Sequence, residues 1–150
     1  MALFGSQKYS KLSLPANGNR KMVIPDGSWI KCRNCSQTLY ADRLEDNHQV
    51  CWYCGHHLAM TAEQRIKLVT DKDSFVEMDR NLVSVDALGF SDSKSYVDRL
   101  AENSKKSSLN DAIVCGTATL DGKAFALGVM DFRFMGASMG SVVGEKIARL

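Results

Sequence analysis

The spacing of hydrophobic residues changes several times along the chain, and each spacing predicts a different element. Ala62, Ile66 and Val69 recur at helical spacing, because residues three to four positions apart lie on one face of a helix. The capping-box pattern Thr61-Ala-Glu-Gln64 surrounds the start of this segment. We therefore predict a short helix over residues 61–70.

A second segment with helical spacing covers residues 93–106. Its apolar face contains Tyr96, Val97, Leu100 and Ala101, and the opposite face carries charged side chains. This distribution predicts an amphipathic helix that packs against a core through its apolar face.

Two β-rich runs follow, residues 112–120 and residues 123–130, and Asp121-Gly122 joins them. An Asp-Gly pair between such runs is a strong hairpin signal, because both residues tolerate the positive φ angles of a two-residue turn. We interpret Cys115, inside the first run, as a small core residue. A shorter extended piece is predicted at Phe75–Met78.

The stretch from Phe132 to Lys146 predicts a strand, then a loop of small residues, then the beginning of a helix. Such a loop lets a ligand approach backbone N–H groups, and the positive end of the helix favours an anionic or enolate oxygen. A flexible connector is the alternative interpretation, because the loop matches neither a P-loop nor a dinucleotide fingerprint. The candidate ligand-binding residues of the loop are Gly136, Ala137, Ser138, Met139 and Gly140.

Composition excludes several classes of protein. The 150 residues are 45% hydrophobic and 24% charged, an ordinary globular composition that excludes a disordered or collagen-like chain. No apolar run reaches the roughly 18 residues of a membrane span and the N-terminus lacks a secretory signal, so we expect a soluble cytoplasmic protein without a membrane partner. The net charge of +2 is too small to indicate nucleic acid by itself.

The chain contains five cysteines, which in such a protein indicate a metal site or free thiols rather than disulfides. Four of them form the pairs Cys32-Arg-Asn-Cys35 and Cys51-Trp-Tyr-Cys54, separated by 15 residues. A two-residue spacer lets both thiolates of a pair reach one ion, so two pairs complete a closed, tetrahedral structural zinc site. The sequence therefore predicts a zinc ribbon with one zinc per chain and the ligands Cys32, Cys35, Cys51 and Cys54.

The sequence around the two cysteine pairs also predicts local structure. We expect a short antiparallel hairpin between the pairs, with Leu39, Tyr40 and Val50 as strand residues. Gly55 directly follows the second pair and suits the positive φ angle of a tight turn.

Two alternatives to the four-cysteine site remain open. His56 and His57 could replace a ligand, although exposed polar residues are the favoured interpretation because four thiolates already fill the shell. The cysteines could also be a redox pair or four unrelated thiols.

A zinc ribbon also raises the question of nucleic-acid binding. Between the cysteine pairs, one charged residue is basic and three are acidic: Arg43, and Asp42, Glu45 and Asp46. This excess of negative charge repels phosphates. Residues 1–31 are basic, and Trp29, Trp52 and Tyr53 could offer stacking faces. We favour a solvated basic tail and aromatic side chains that pack the small ribbon, and nucleic acid stays a disfavoured alternative partner.

Several motifs together resemble one known family. They are the four-cysteine ribbon, His56-His57-Leu-Ala-Met-Thr-Ala, the helix from Tyr96 to Leu100, and Phe134-Met-Gly-Ala-Ser-Met-Gly-Ser-Val-Val-Gly. The combination resembles the β subunit of bacterial acetyl-CoA carboxylase carboxyltransferase over nearly everything after about Ser28. The resemblance implies an α/β fold, in which an N-terminal four-cysteine zinc ribbon is followed by the beginning of a crotonase-like (ClpP/crotonase) superhelical domain.

The reaction that the resemblance implies is transfer of a carboxyl group from carboxybiotin to acetyl-CoA, which gives malonyl-CoA for fatty-acid biosynthesis. Biotin is carried on a partner, the biotin carboxyl carrier protein. The family works as an α2β2 heterotetramer with the carboxyltransferase alpha subunit, in a larger assembly that contains biotin carboxylase. The enolate and the ureido anion of this reaction need N–H donors more than an acid–base side chain.

The resemblance also bears on individual residues. Ala137 stands where the family usually has a glycine. Arg133 and Lys146 are candidate contacts for CoA phosphates, although solvated surface side chains are the favoured interpretation. The family's oxyanion-hole glycines are expected beyond Leu150, so no catalytic residue is assigned. We expect the chain to be an N-terminal portion of the subunit that is inactive alone.

The sequence divides into four expected parts: a flexible basic tail at 1–25, the zinc ribbon at 26–60, a helical connector at 61–108, and the incomplete start of the carboxyltransferase domain at 109–150. The alternative function is a zinc-ribbon module that binds nucleic acid or a structural partner without catalysis.

Overall fold

The computed structural model describes residues 28–150, and the expected tail at 1–25 lies outside the described residues. The elements in chain order are β1 (Trp29–Lys31), β2 (Thr38–Tyr40), α1 (Ala41–Asp46), α2 (Ala62–Val69), β3 (Val76–Met78), α3 (Tyr96–Ser107), β4 (Ile113–Leu120), β5 (Lys123–Met130), a 3-10 turn (Met135–Ala137) and α4 (Ser141–Arg149). None of the helices between residues 28 and 150 is long and apolar enough to cross a membrane.

The ribbon contains a two-stranded antiparallel sheet in which β1 pairs with β2, with Ile30 opposite Leu39. The predicted hairpin between the cysteine pairs is wrong. Tyr40 ends β2 and is followed by α1, while Val50 forms an isolated bridge with His57. The physical reason is that each cysteine pair itself occupies the turn of a hairpin, so the strands pair across a cysteine pair and not between the two pairs.

The helix predicted at 61–70 is confirmed as α2. Its capping box is complete: the backbone N–H of Gln64 donates to Thr61 Oγ1 at 3.2 Å, and the N–H of Thr61 donates to Gln64 Oε1 at 3.0 Å. These two bonds satisfy backbone donors that have no partner within the helix. Ala62 and Ile66 are buried, as their spacing predicts.

The predicted hairpin at Asp121-Gly122 is confirmed, and it forms a three-stranded antiparallel sheet in the order β3-β4-β5. Both turn residues have positive φ angles, 50° at Asp121 and 75° at Gly122. Gly116 lies opposite Glu77 where β3 pairs with β4, and a Cβ atom there would meet the carbonyl oxygen of Val76 at 2.3 Å. Only glycine fits this close approach of β3 to β4.

Asp71, just after α2, binds the tip of the β4–β5 hairpin. Its carboxylate accepts hydrogen bonds from Thr119 Oγ1 at 2.6 Å and from the N–H groups of Asp121 and Gly122, both at 2.9 Å. The bond from Thr119 and those from the two turn N–H groups outweigh burial and lower the pKa of Asp71. The hairpin turn is therefore held by a residue about fifty positions earlier in the sequence.

The helix predicted at 93–106 is confirmed as α3, but half of its predicted apolar face is wrong. Leu100 packs against the core, whereas Val97 is 58% exposed and Ala101 is also exposed. The helix contacts its neighbours through a narrower stripe that contains Leu100, Asn103 and the buried Ser107, positions three and four residues apart.

The largest buried cluster joins the hairpin, the segment after β5 and α4. Its members are Ala112, Ile113, Cys115, Phe134 and Val143, with Leu100, Leu109 and Met135 packed against it. Cys115 is 2% exposed, which confirms its interpretation as a core residue.

The strand predicted from Phe132 onward is wrong, because the chain turns there. Asp131 Oδ1 accepts a bond from the N–H of Arg133 at 3.0 Å, and the N–H of Phe134 donates to the Asp131 carbonyl at 3.2 Å. An aspartate side chain that bonds the backbone two residues later stabilises a turn. The loop of small residues and the helix that follow are present, the helix as α4.

Candidate functional site

The four predicted metal ligands come together although they lie on two separate hairpins. The Sγ atoms of Cys32, Cys35, Cys51 and Cys54 all lie within 4.8 Å of one another. The distances are 3.8 Å between Cys32 and Cys54 and 3.7 Å between Cys35 and Cys51. Four sulfur atoms about 2.3 Å from a tetrahedral zinc ion stand about 3.8 Å apart, so the arrangement fits zinc.

The two cysteine pairs have the same backbone geometry. The N–H of Ser36 donates to the Cys32 carbonyl at 2.9 Å, and the N–H of Gly55 donates to the Cys51 carbonyl at 2.8 Å. Both donors have positive φ angles, 61° for Ser36 and 71° for Gly55. The positive φ angle predicted at Gly55 is confirmed. The positive φ angle of Ser36 was not predicted, because serine rarely adopts this conformation.

Hydrogen-bond donors around the sulfur atoms favour thiolates. A bond from the Asn34 side chain and one from the His56 N–H lower the pKa of Cys54 to about 6. The N–H groups of Cys35 and Asn34 lower the pKa of Cys32. The N–H of Gln37 acts in the same direction on Cys35, but burial and the neighbouring thiols outweigh it and raise that pKa to about 12. Thiolate is the form that binds zinc.

The cysteine cluster is also the core of the ribbon. Cys32 and Cys51 are 1% exposed, and Leu39 and Leu44 beneath them are fully buried. So few buried side chains supply little hydrophobic free energy, as is usual for small domains whose folding depends on a metal.

The two histidines stay outside the metal-compatible cluster. Among residues 28–150, the only group of His, Cys, Asp or Glu side chains close enough to share an ion consists of the four cysteines. His57 bridges Val50, and the carbonyl of His56 accepts the N–H of Cys51 at 2.8 Å. Their backbones, rather than their rings, contribute to the ribbon.

Only some of the aromatic side chains of the ribbon pack against its core. Trp52 packs against the cysteine core, and the Arg43 guanidinium lies 5.1 Å from its ring centroid. Trp29 and Tyr53 are 57% and 61% exposed, which contradicts the expectation that they pack the ribbon. Trp29 instead contacts Tyr40 across β1 and β2, with ring centroids 5.2 Å apart.

The second candidate site, the small-residue loop, begins with a left-handed turn. Met135, Gly136 and Ala137 have φ angles of 45°, 65° and 59°. A left-handed conformation costs a residue with a side chain about 1–2 kcal/mol, and glycine almost nothing. Glycine at position 137 would therefore avoid a cost that Ala137 bears. Because such strain concentrates at ligand sites, the turn is a candidate for function.

The loop then leads into α4 without a side-chain cap. Gly140 is the N-cap residue, and no side chain accepts a hydrogen bond from the first turn. Within the loop, the N–H of Ala137 donates to the Phe134 carbonyl at 2.9 Å and that of Ser138 to the Met135 carbonyl at 3.3 Å. Met139 is 74% exposed. Ligand binding by residues 136–140 stays a prediction.

A buried carboxylate stands immediately before this loop. Asp131 Oδ2 accepts the N–H of Ala62 and an Arg133 guanidinium N–H, both at 2.8 Å, and Arg133 Nε donates to Oδ1 at 3.0 Å. Burial alone would raise the pKa of Asp131, but these donors and the Arg133 N–H outweigh it and lower the pKa to about 2. The role of Asp131 could not be predicted from the sequence, because one of its partners, Ala62, is brought to it only by the tertiary fold.

Lys146 is not a solvated surface side chain, which corrects the favoured interpretation. It is 3% exposed, and its Nζ donates to the carbonyl oxygen of Ile113 at 3.3 Å. Arg133 is held by Asp131 but its side chain remains 46% exposed. Both residues line one cleft of about 1060 Å³ between α2 and β4.

Sequence comparisons agree with this geometry. A protein family described as the acetyl-CoA carboxylase zinc finger domain matches residues 29–54. The chain is 52% identical over 127 residues to the acetyl-coenzyme A carboxylase carboxyl transferase subunit beta of Acaryochloris marina, covering 85% of the chain and 42% of that protein. The chloroplastic subunit beta of Pyropia yezoensis is 47% identical over 132 residues, 88% of the chain and 46% of that protein.

The chain thus spans less than half the length of these relatives. Another relative, the subunit beta of Gloeobacter violaceus, is 53% identical over 131 residues, with 87% of the chain and 43% of that protein covered. A crystal structure of transcarboxylase 12S aligns with 71% of the chain and 16% of its own, with a TM-score of 0.46 and 20% identity.

Proposed function

The chain belongs to the family of acetyl-coenzyme A carboxylase carboxyl transferase beta subunits, and we propose that it acts in carboxyl transfer from carboxybiotin to acetyl-CoA. The observation that carries the proposal is identity of about half of all residues across both the ribbon and the following α/β segment. A module shared only for its zinc site would match at the ribbon alone. The nucleic-acid or purely structural alternative is not favoured by this result.

The zinc ligands in this proposal are Cys32, Cys35, Cys51 and Cys54. Four thiolates leave no open coordination position, so the metal would stabilise the ribbon and take no part in the chemistry. The spacing of the sulfur atoms and the N–H donors around them support this assignment. Binding energy of order 10 kcal/mol would make ribbon folding depend on the metal.

The loop residues Gly136, Ala137, Ser138, Met139 and Gly140 are proposed to face the acyl-CoA substrate. Removal of a proton from the acetyl group makes an enolate, whose oxygen is stabilised by fixed N–H donors. The uncapped first turn of α4 offers such donors, and it follows the left-handed turn at residues 135–137. Arg133, whose side chain is 46% exposed, remains a candidate contact for CoA phosphates. Lys146 does not, because it is 3% exposed and its Nζ is bound to the carbonyl oxygen of Ile113.

The remaining parts of the reaction belong to partners. We propose that biotin arrives on the biotin carboxyl carrier protein, that a carboxyltransferase alpha subunit completes an α2β2 heterotetramer, and that biotin carboxylase belongs to the same cytoplasmic assembly. The segment at 109–150 would be the beginning of a crotonase-like domain, preceded by the ribbon at 26–60 and the connector at 61–108. The connector also packs on this segment, because β3 pairs with β4 and Ala62 and Ile66 form one buried cluster with Val114.

A chimeric enzyme tests the proposal without depending on the length of this chain. Residues 28–150 replace the matching segment of the Gloeobacter violaceus beta subunit, which is combined with its own alpha subunit. Reverse carboxyl transfer from malonyl-CoA to a soluble biotin derivative is measured. We expect a rate within about tenfold of the parent enzyme. A zinc-loaded, alpha-bound chimera whose rate equals the background without enzyme would contradict the proposal.

A further inference from the structure

The left-handed turn at the start of the candidate loop needs external support. Two of its three residues, Met135 and Ala137, carry side chains in a conformation that glycine favours. The two bonds within the segment, from Ala137 to Phe134 and from Ser138 to Met135, are local and would not by themselves exclude a relaxed turn.

One side chain from another element bonds the turn directly. Asn103, in α3, accepts the N–H of Met135 at its Oδ1 atom, at 3.2 Å. Its Nδ2 atom donates to the carbonyl oxygen of Arg99 at 2.7 Å, one turn earlier in the same helix. Because the amide nitrogen is bound to α3, the oxygen is fixed in the direction of Met135.

The packing around Asn103 holds it in place. Leu100, one turn earlier on α3, packs against the core cluster that contains Phe134, the residue before the turn. Ser107, one turn later, is buried and its hydroxyl donates to the carbonyl oxygen of Asn103 at 2.7 Å. The helix therefore presents Asn103 at a fixed distance from the turn.

We propose that Asn103 is a positioning residue for the acyl-CoA loop: its side-chain oxygen holds Met135, Gly136 and Ala137 in the left-handed conformation that orients the N–H groups leading into α4. This inference rests on the proposed function of the loop. Asn103 itself contacts no substrate, and acts through the turn.

The first arm of the test measures the contact in the full chain. Amide hydrogen exchange of Met135 is followed by NMR in the wild type, in Asn103→Leu and in Asn103→Asp, which keeps an acceptor oxygen. We expect exchange about tenfold faster in the leucine variant, in keeping with loss of one hydrogen bond. The aspartate variant should show intermediate exchange, because it keeps an acceptor oxygen but loses the Nδ2 donor that bonds the Arg99 carbonyl. Asn110→Leu is the matched control, because Asn110 also bonds a backbone carbonyl, that of Arg80, and does not contact the turn.

The second arm measures catalysis in the chimeric enzyme described above. Asn103→Leu is expected to lower kcat about tenfold and to change the KM for malonyl-CoA less than twofold, because orientation of the N–H donors matters most in the transition state. Asn103→Asp restores kcat to within about threefold of wild type. Adding Ala137→Gly to the leucine variant also restores it, because the turn then needs less support.

The outcomes separate this inference from the proposed function. A wild-type chimera without transfer activity contradicts the function, while amide exchange still decides whether Asn103 holds the turn. Full kcat in Asn103→Leu, or a loss that neither Asn103→Asp nor Ala137→Gly restores, overturns the inference. If the leucine variant does not fold, Asn103→Ala replaces it, since alanine removes the same acceptor without adding bulk.

Discussion

The carboxylate of Asp131 accepts a hydrogen bond of 2.8 Å from the backbone N–H of Ala62, 69 positions earlier in the chain. This N–H belongs to the first turn of α2, where no residue of the helix itself can accept it. The same carboxylate binds the Arg133 guanidinium. One buried charge therefore fixes both the helix that follows the ribbon and the chain that enters the candidate loop.

Asp131→Asn should lower stability in a pH-dependent way. The folded-state pKa of about 2 lies below the ordinary value, so the carboxylate stabilises the fold above about pH 4, and this contribution is lost as pH falls towards 2. We expect the variant to lose on the order of 2 kcal/mol of unfolding free energy at pH 7, measured by urea denaturation, and to show a flatter decline of Tm between pH 4 and 2.

Asp121→Asn provides the comparison for that measurement, because Asp121 is exposed and asparagine suits its turn. It should leave stability at pH 7 nearly unchanged. An Asp131→Asn variant with the stability and the pH profile of the wild type would show that the buried carboxylate does not stabilise the junction.

Ala137→Gly should stabilise the protein. The φ angle of 59° at Ala137 strains an alanine, and glycine removes this strain while adding flexibility to the unfolded chain. The expected net gain is about 0.5–1 kcal/mol, measured as a rise in Tm of about 2–3 °C. Ala126→Gly in β5 is the matched control and should destabilise, because the same exchange in a strand relieves no strain. Equal losses in both variants would contradict the left-handed turn.

Gly116→Ala should destabilise the three-stranded sheet. The new Cβ atom would lie 2.3 Å from the Val76 carbonyl oxygen, so β3 or the ring of Phe75 must move. We expect a loss of about 2–3 kcal/mol in chemical denaturation. Gly144→Ala should instead gain about 0.5–1 kcal/mol, since the position is helical and a Cβ there meets no atom within 4 Å. A tolerated alanine at position 116 would contradict the close approach of β3 to Gly116.

Local sequence signals predicted much of the fold. The capping box of α2, the Asp-Gly turn and the paired cysteines depend on residues a few positions apart, and each formed as predicted. The strand expected at Phe132 failed because Asp131 turns the chain, a conformation that depends on its bonds with distant Ala62 and nearby Arg133.

The residues that hold the candidate sites in place could not be predicted from the sequence either, because their roles also depend on long-range contacts. Asn103 is an ordinary polar residue of an amphipathic helix until the fold brings it to Met135. Lys146 was predicted to be a surface lysine. The sequence of its helix does not show that its Nζ atom bonds the carbonyl oxygen of Ile113. These residues have their roles because of contacts with residues far away in the sequence. Neither the spacing of residues nor the composition predicts such contacts.

Removal of zinc should unfold the ribbon before the rest of the described chain. The ribbon core consists mainly of Cys32, Cys51, Leu39 and Leu44, while the β4–β5 hairpin packs in separate clusters. We expect a chelator to abolish amide protection in the ribbon and to leave β4 and β5 protected, as followed by hydrogen exchange. Loss of protection in both regions at the same chelator concentration would indicate one cooperative unit instead.

Zinc X-ray absorption spectroscopy of the purified chain tests the four-thiolate centre most directly. We expect one zinc per chain with four sulfur neighbours at about 2.3 Å, a spectrum unchanged in His56→Ala and His57→Ala, and loss of one sulfur neighbour or of the metal in Cys54→Ser. A wild-type spectrum with nitrogen neighbours or fewer than four sulfur atoms, or full zinc content with an unaltered spectrum in Cys54→Ser, would contradict the assignment of Cys32, Cys35, Cys51 and Cys54 as the ligands.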